Sequence, residues 1–313
     1  MKRLGPICVA VLLSTSRAIV AGPSPATLPG AGAGQRSVVP SAPSRVALLD
    51  SASTKEYFRR HYPNCSPPTS FYLGADEYQR YFRGWEFVLW QAQIPFDIVT
   101  DDDVTSGVLA KYKVLILSNT ASLADEESQT IVKWVRAGGR LLATFGSGYK
   151  SIAGDAHQAD LLKVQEGGTD RLHQLWHDPL SHLFSTDWLS PGVDVSVTRY
   201  AGPTACLANS LTDDVLHYGA SGNMLIQRPA ASANVLASLA IPDPTWKRNQ
   251  PAIIVTNATR GLVVYFAFAP EYLVSKEFGL PAPETCLDGQ NWAGRSSELV
   301  LLMECAVRYL LAN

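Results

Sequence analysis

The chain has 313 residues, 46% of them hydrophobic and 17% charged, and a formal net charge of −2. That balance fits one large α/β domain or two smaller ones. With no Lys/Arg cluster, it argues against a nucleic-acid partner or an anionic membrane surface, both of which need a basic patch.

Lys2 and Arg3 precede a short apolar run, GPICVAVLL, and small residues, AIVAGPSPA, follow it. A basic start, a short apolar centre and a small-residue exit describe a secretory signal peptide over residues 1–21, cleaved between Ala18 and Ala26. The run is too short for a stable membrane-spanning helix, so no integral membrane segment is expected after cleavage. The predicted location is secreted or periplasmic. Residues 22–44, GPSPATLPGAGAGQRSVVPSAPS, read as a flexible linker, and the folded domain is expected over 45–313. Export would leave Cys65, Cys206, Cys286 and Cys305 in an oxidising compartment. The first three stand in loop-like contexts and predict one disulfide of open connectivity, whereas Cys305, inside an apolar helix, reads as a buried thiol. None has CxxC spacing, so neither a metal site nor a cofactor is expected.

RVALLD opens the domain as a first parallel strand. The next stretch, STKEYFRRHYPNCSPPTSFYLGAD, is too polar and Pro-broken to be one element. A helix then runs from about Glu77 to Gln93, with Tyr81, Phe82, Trp85, Val88, Leu89 and Ala92 on one stripe. IPFDIVT is a second strand ending in the acids of TDDDV. YKVLILSN is a third, without alternation and so buried on both faces. SLADEESQTIVKWVRAG is a helix with Ser122 as N-cap, acids in its first turn and Gly138-Gly139 closing it. RLLATF is the fourth strand. This alternation predicts βαβ units in a mostly parallel sheet flanked by helices, of flavodoxin-like type. From Gly146 to about Tyr218 the pattern weakens. It returns in NVLASLA, PAIIVTN and GLVVYFAF, the last two joined by a hairpin turn at TNATRG. An apolar helix over Ser297–Leu311 ends the chain.

Residues 78–148, with YQRYFRGWEFVLWQAQIPFDIV and YKVLILSNTASLADEESQTIVKWVRAGGRLLATFGSG, resemble the class I glutamine amidotransferase-like fold. Together with PAIIVTNATRGLVVYFAFAPE, they are similar to the middle, or trimerisation, domain of large bacterial β-galactosidases and its free-standing relatives. The resemblance covers most of residues 45–313 and leaves the middle and the far C-terminal loop unmatched. It implies a nucleophile raised on a sharp turn after a strand, and a His-x-Glu pair after a late strand. The matching turn, TFGSGYK, has no cysteine, and Ser147 is its only nucleophile-capable residue. In the late strand Ala269 takes the histidine slot, while Pro270 and Glu271 remain. Amide hydrolysis needs both thiolate and base, so the resemblance implies a decayed triad. It implies instead a binding or assembly module near polysaccharide metabolism, with a carbohydrate or protein partner or a homo-oligomer; this is analogy at the level of fold.

The alternative is a hydrolase with a rearranged site around Ser147 and Glu271, its base drawn from His157, His173, His177 or His182. RLHQLWHDPLSH would put His173 and His177 on one face of a helix, but Pro179 ends any helix there and ordinary histidines are the simpler reading. Asp101 and Asp102 follow a parallel strand, where α/β proteins bind ligands, and could hold a cation or a hydroxyl-rich molecule; helix capping is the plainer role. Trp85, Trp90 and Trp134 fall on helices and read as packing. Trp246 in DPTWKRNQP and Trp292 in DGQNWAGRS sit in polar loops where an indole can stack on a sugar ring or cap a core edge.

Overall fold

A computed structural model of the chain describes residues 44–61, 77–150, 159–166, 169–176, 180–195, 198–201, 215–216, 218–240, 249–278, 293–294 and 296–313. The expected signal peptide, all but the last residue of the expected linker, and Cys65, Cys206, Cys286, Trp246 and Trp292 lie outside them. No helix among the described residues is long and apolar enough to cross a membrane.

Strand β1 (Val46–Leu49) is followed by α1 (Ala52–His61), α2 (Glu77–Gln91), β2 (Phe96–Val99), α3 (Asp101–Thr105), β3 (Val114–Leu117), α4 (Asp125–Arg136) and β4 (Arg140–Thr144). All four residues of β1 and of β3 are buried, as continuous Val/Leu/Ile runs require when helices cover both faces of a sheet. On α2 the expected stripe is buried, with Trp85 among the largest fully enclosed side chains, but Trp90 is 74% exposed and does not pack as expected. Trp134 leans on the core from α4 and lies against Gly139, where an added Cβ would stand 2.3 Å from the indole.

The polar stretch after β1 forms a helix in its first part. Tyr57 and Phe58 of α1 are buried, while Glu56 pairs with Arg59 and Arg60 on the outer face. The start of α1 is satisfied from far away: Ser53 N and Oγ donate to Asp101 Oδ2 at 2.8 and 2.9 Å. At α4 the N-cap is Ala124, not Ser122, and its amide donates to Glu127 Oε2 at 2.5 Å. Ser122 instead exchanges hydrogen bonds with the Thr54 hydroxyl. Gly138, with φ of 123°, ends the helix as a left-handed C′ residue should.

The weakly patterned middle is antiparallel: β5 (Ala159–Glu166), β6 (Thr169–Trp176), the short α5 (Ser181–Phe184), β7 (Thr186–Val195), β8 (Thr198–Ala201), β9 (Val215–Leu216) and β10 (Tyr218–Pro229). Then come β11 (Asn234–Ala240), β12 (Asn249–Ala258), β13 (Gly261–Phe266), α6 (Pro270–Glu277), β14 (Ala293–Gly294) and α7 (Ser296–Ala312). His173 lies on β6 opposite Leu162, so the helical pairing with His177, itself outside the described residues, does not arise. No group of three metal-ligating side chains occurs among the described residues. Cys305 is buried on α7, as the apolar run predicts.

The main sheet has nine strands in the order β2-β1-β3-β4-β13-β12-β11-β8-β9. Its first five are parallel, with the 2-1-3-4-5 arrangement of flavodoxin-like sheets, and β12 and β13 form the expected late hairpin. The antiparallel part extends further than expected, and β14-β10-β7-β6-β5 make a second sheet. Thr259, with φ of 59°, lies in the two-residue turn between Ala258 and Gly261. Gly261 then runs against the end of α4, where a Cβ would stand 2.0 Å from the Val135 carbonyl oxygen. Backbone at that distance cannot yield as a side chain can. Gly261→Ala is expected to lower stability by about 2–3 kcal/mol in chemical denaturation. Gly107→Ala, strained by a φ of 85° but with nothing within 4 Å, should cost only about 1 kcal/mol.

Candidate functional site

Ligands of open α/β sheets bind beyond the carboxyl ends of the strands, where the strand order reverses. Here that point lies between β1 and β3. The loops leaving β1, β3, β4 and β13 meet there around buried polar side chains: Ser51, Ser118, Asn119, Thr120, Thr144, Ser147 and Glu271.

The β3 and β4 loops are sewn together residue by residue. Asn119 N donates to Thr144 Oγ1 at 2.9 Å, and Gly146 N donates to Asn119 Oδ1 at 3.1 Å. Thr120 N donates to Ser147 Oγ at 3.1 Å, while Gly148 N donates to Thr120 O at 2.8 Å. The Ser147 hydroxyl points at the carbonyls of Thr144 (2.8 Å) and Leu117 (3.2 Å). Ser147 is fully buried and takes part in a backbone clamp; among the described residues no imidazole bonds to it. His182, the expected candidate base whose side chain is described, is exposed on α5.

The strained position is two residues earlier. Phe145 follows β4 directly and has φ of 46°, a conformation uncommon for a bulky side chain. Phe145 N donates to Phe266 O at 2.8 Å, and Tyr265 Oη donates to Phe145 O at 2.8 Å, which together hold the turn. Its ring is buried in a cluster with Ala269, Tyr149, Tyr272 and the aromatic residues of α1 and α2. The sharp turn that the resemblance places at Ser147 is therefore built at Phe145. Counting from the end of the strand, rather than from the Gly-Ser-Gly pattern, would have found it.

Glu271, the second residue of α6, is fully buried. Thr144 Oγ1 donates to its Oε1 at 2.5 Å. Ser118 faces the carboxyl without reaching good hydrogen-bond geometry to Oε2. Burial pushes the carboxyl up to about 8, against the hydrogen bonds from Thr144, its own amide and Ser118. Helix α2 approaches this residue so closely that a Cβ on Gly84 would lie 2.1 Å from the Glu271 carbonyl oxygen.

Asp101 and Asp102 head α3, where Thr100 and Asp103 form a capping box. Asp102 is exposed, and Asp101 is committed to capping α1 through Ser53. The Asp101 Oδ1 and Glu127 Oε1 atoms are buried without a conventional donor. Burial first, and then the Asp101 charge and a hydrogen bond to it, push Glu127 up to about 8 against the opposing Ala124 amide. Glu127 on α4 thus feels the charge of the carboxylate that caps α1. The other two expected binding residues, Trp246 and Trp292, lie outside the described residues.

No family model and no curated protein matches the chain. Among solved structures, a catalytic mutant of a GH42 beta-galactosidase from G. stearothermophilus aligns at TM-score 0.52 and 15% identity, over 76% of this chain and 29% of that one. A beta-galactosidase from Bacillus circulans sp. alkalophilus aligns at TM-score 0.52 and 15% identity, over 75% and 30%. A ThuA-like protein from Bacteroides uniformis aligns at TM-score 0.48 and 12% identity, over 90% and 96%. The chain spans under a third of the two beta-galactosidases, and the likeness to them is one of fold.

Both buried glutamates bind a proton more tightly in the folded state than the ordinary 4.5. Their contribution is full below pH 4.5 and is lost as pH rises toward 8, because the unfolded chain ionises first. Stability from urea denaturation should therefore fall over that window. Glu127→Gln and Glu271→Gln should each flatten the decline, and the double variant should flatten it most. Parallel profiles for all four proteins would contradict the assignment.

Proposed function

We propose that the chain is an exported, non-catalytic binding or assembly module of the amidotransferase-like fold, working in carbohydrate metabolism. The observation that carries the reading is the occupied turn after β4: Phe145 holds the strained position and packs against Ala269. Where a nucleophile and its base would act, there is an aromatic ring and a methyl group. Glu271 keeps its place but serves as a buried partner of Thr144. A hydrolase built on Ser147 would need its oxygen free and a base beside it, whereas that oxygen is engaged by three backbone groups.

The carbohydrate part rests on the beta-galactosidases that share the fold, and on analogy. Export is supported by the basic-apolar-small order of the first residues. Trp90, standing out from α2, is the described aromatic face most open to a sugar ring or a second copy.

A fluorophosphonate probe is expected to leave Ser147 unlabelled, and galacto-oligosaccharides should be retained without being shortened. Trp90→Ala should weaken retention several-fold. Ser147→Ala should leave it unchanged while costing about 1–3 kcal/mol of stability through the lost backbone bonds. Labelling of Ser147, or release of free galactose, would overturn the non-catalytic reading.

A further inference from the structure

A cavity of about 510 Å³ opens where α5 meets the corner of β7 and β10, among Ser181, His182, Ser185, Thr186 and Arg228. We propose that this cavity binds a small oxyanion, a carboxylate or a phosphate.

The size suits one small ligand. Among the described residues the wall carries an imidazole, three hydroxyls and a guanidinium. Asp187 stands opposite Arg228 in the β7–β10 ladder. Neither Arg228 nor His182 has a hydrogen-bond or ion-pair partner among the described residues. A guanidinium stays charged at any physiological pH and presents paired donors that match two oxygens of a carboxylate or phosphate. The Ser185 hydroxyl can supply a further donor to the remaining oxygens.

The wall is also rigid before any ligand arrives. Ser185, with φ of 53°, turns the chain between α5 and β7, and Ala230 N donates to its carbonyl at 2.8 Å across the corner. Beneath the helix Phe184 is fully buried and stacks on Tyr265 with ring centres 4.5 Å apart, while Thr256 Oγ1 donates to Phe184 O at 3.3 Å. Ser181 and Thr186 are almost wholly enclosed, so their positions are set by packing. A preformed wall lowers the ordering cost of binding. The proposal does not depend on the carbohydrate reading, because it concerns a different set of residues.

The test is titration calorimetry of the full chain at constant ionic strength with inorganic phosphate, acetate and glucuronate in separate runs. Binding of phosphate alone, or of the two carboxylates alone, supports the proposal and names the source of the oxyanion. Arg228→Ala, at an exposed position, should keep the circular dichroism of the parent and weaken binding at least tenfold. Arg228→Lys, which keeps the charge but loses the paired donors, should fall between. No binding of any of the three anions, or binding that Arg228→Ala leaves intact, would overturn the proposal.

Discussion

The structure turns on how backbone amides are satisfied where the chain leaves the parallel strands. Those loops are buried, and a buried amide without a partner costs about 1–3 kcal/mol. No water-facing route is open to Thr120 and Asn119, so their amides find side-chain oxygens of the next loop, Ser147 and Thr144. Thr144 and Ser147 in turn direct their own protons inward, one to Glu271 and the other to strand-end carbonyls. Each hydroxyl accepts from one loop and donates to another, so the polar groups at the strand ends form one connected set. Removing Ser147 Oγ would leave the Thr120 amide without its partner and free the carbonyls of Leu117 and Thr144.

That connectivity accounts for the chemistry of the region. The groups that could do acid–base work are already engaged in holding loops together, at a depth that keeps the two glutamates protonated at neutral pH. A protonated carboxyl can bridge acceptors as a hydroxyl does. The acids expected to bind a ligand or to assist a nucleophile are therefore explained by the architecture itself.

Much of the frame was legible in the sequence because local pattern determined it. The unbroken apolar runs of β1 and β3, the stripe of α2 and the Gly138 stop of α4 each follow from rules that act within a few residues. The failures have the opposite character. Helix α1 was not picked out within its polar stretch, because its cap, Asp101, lies 48 residues away. The antiparallel strands from β5 to β10 gave no clear period, and β10 meets β7 with several register shifts that blur alternation. Ser122 satisfies the local rule for an N-cap but is drawn to Thr54 by tertiary contact. Phe145 was missed because the motif was aligned on its glycines, whereas the strain is set by where β4 ends.

Phe145 also shows how a sharp turn after a parallel strand is held by its backbone. The left-handed conformation there is imposed by backbone bonds to Phe266 and from Tyr265, which do not depend on the side chain at 145. An aromatic ring at 145 fills the space among Tyr81, Tyr149 and Tyr272, and Ala269 is fully buried in the same cluster. Strain at a turn usually points to function. Here the backbone bonds to Phe266 and from Tyr265 are enough to hold it.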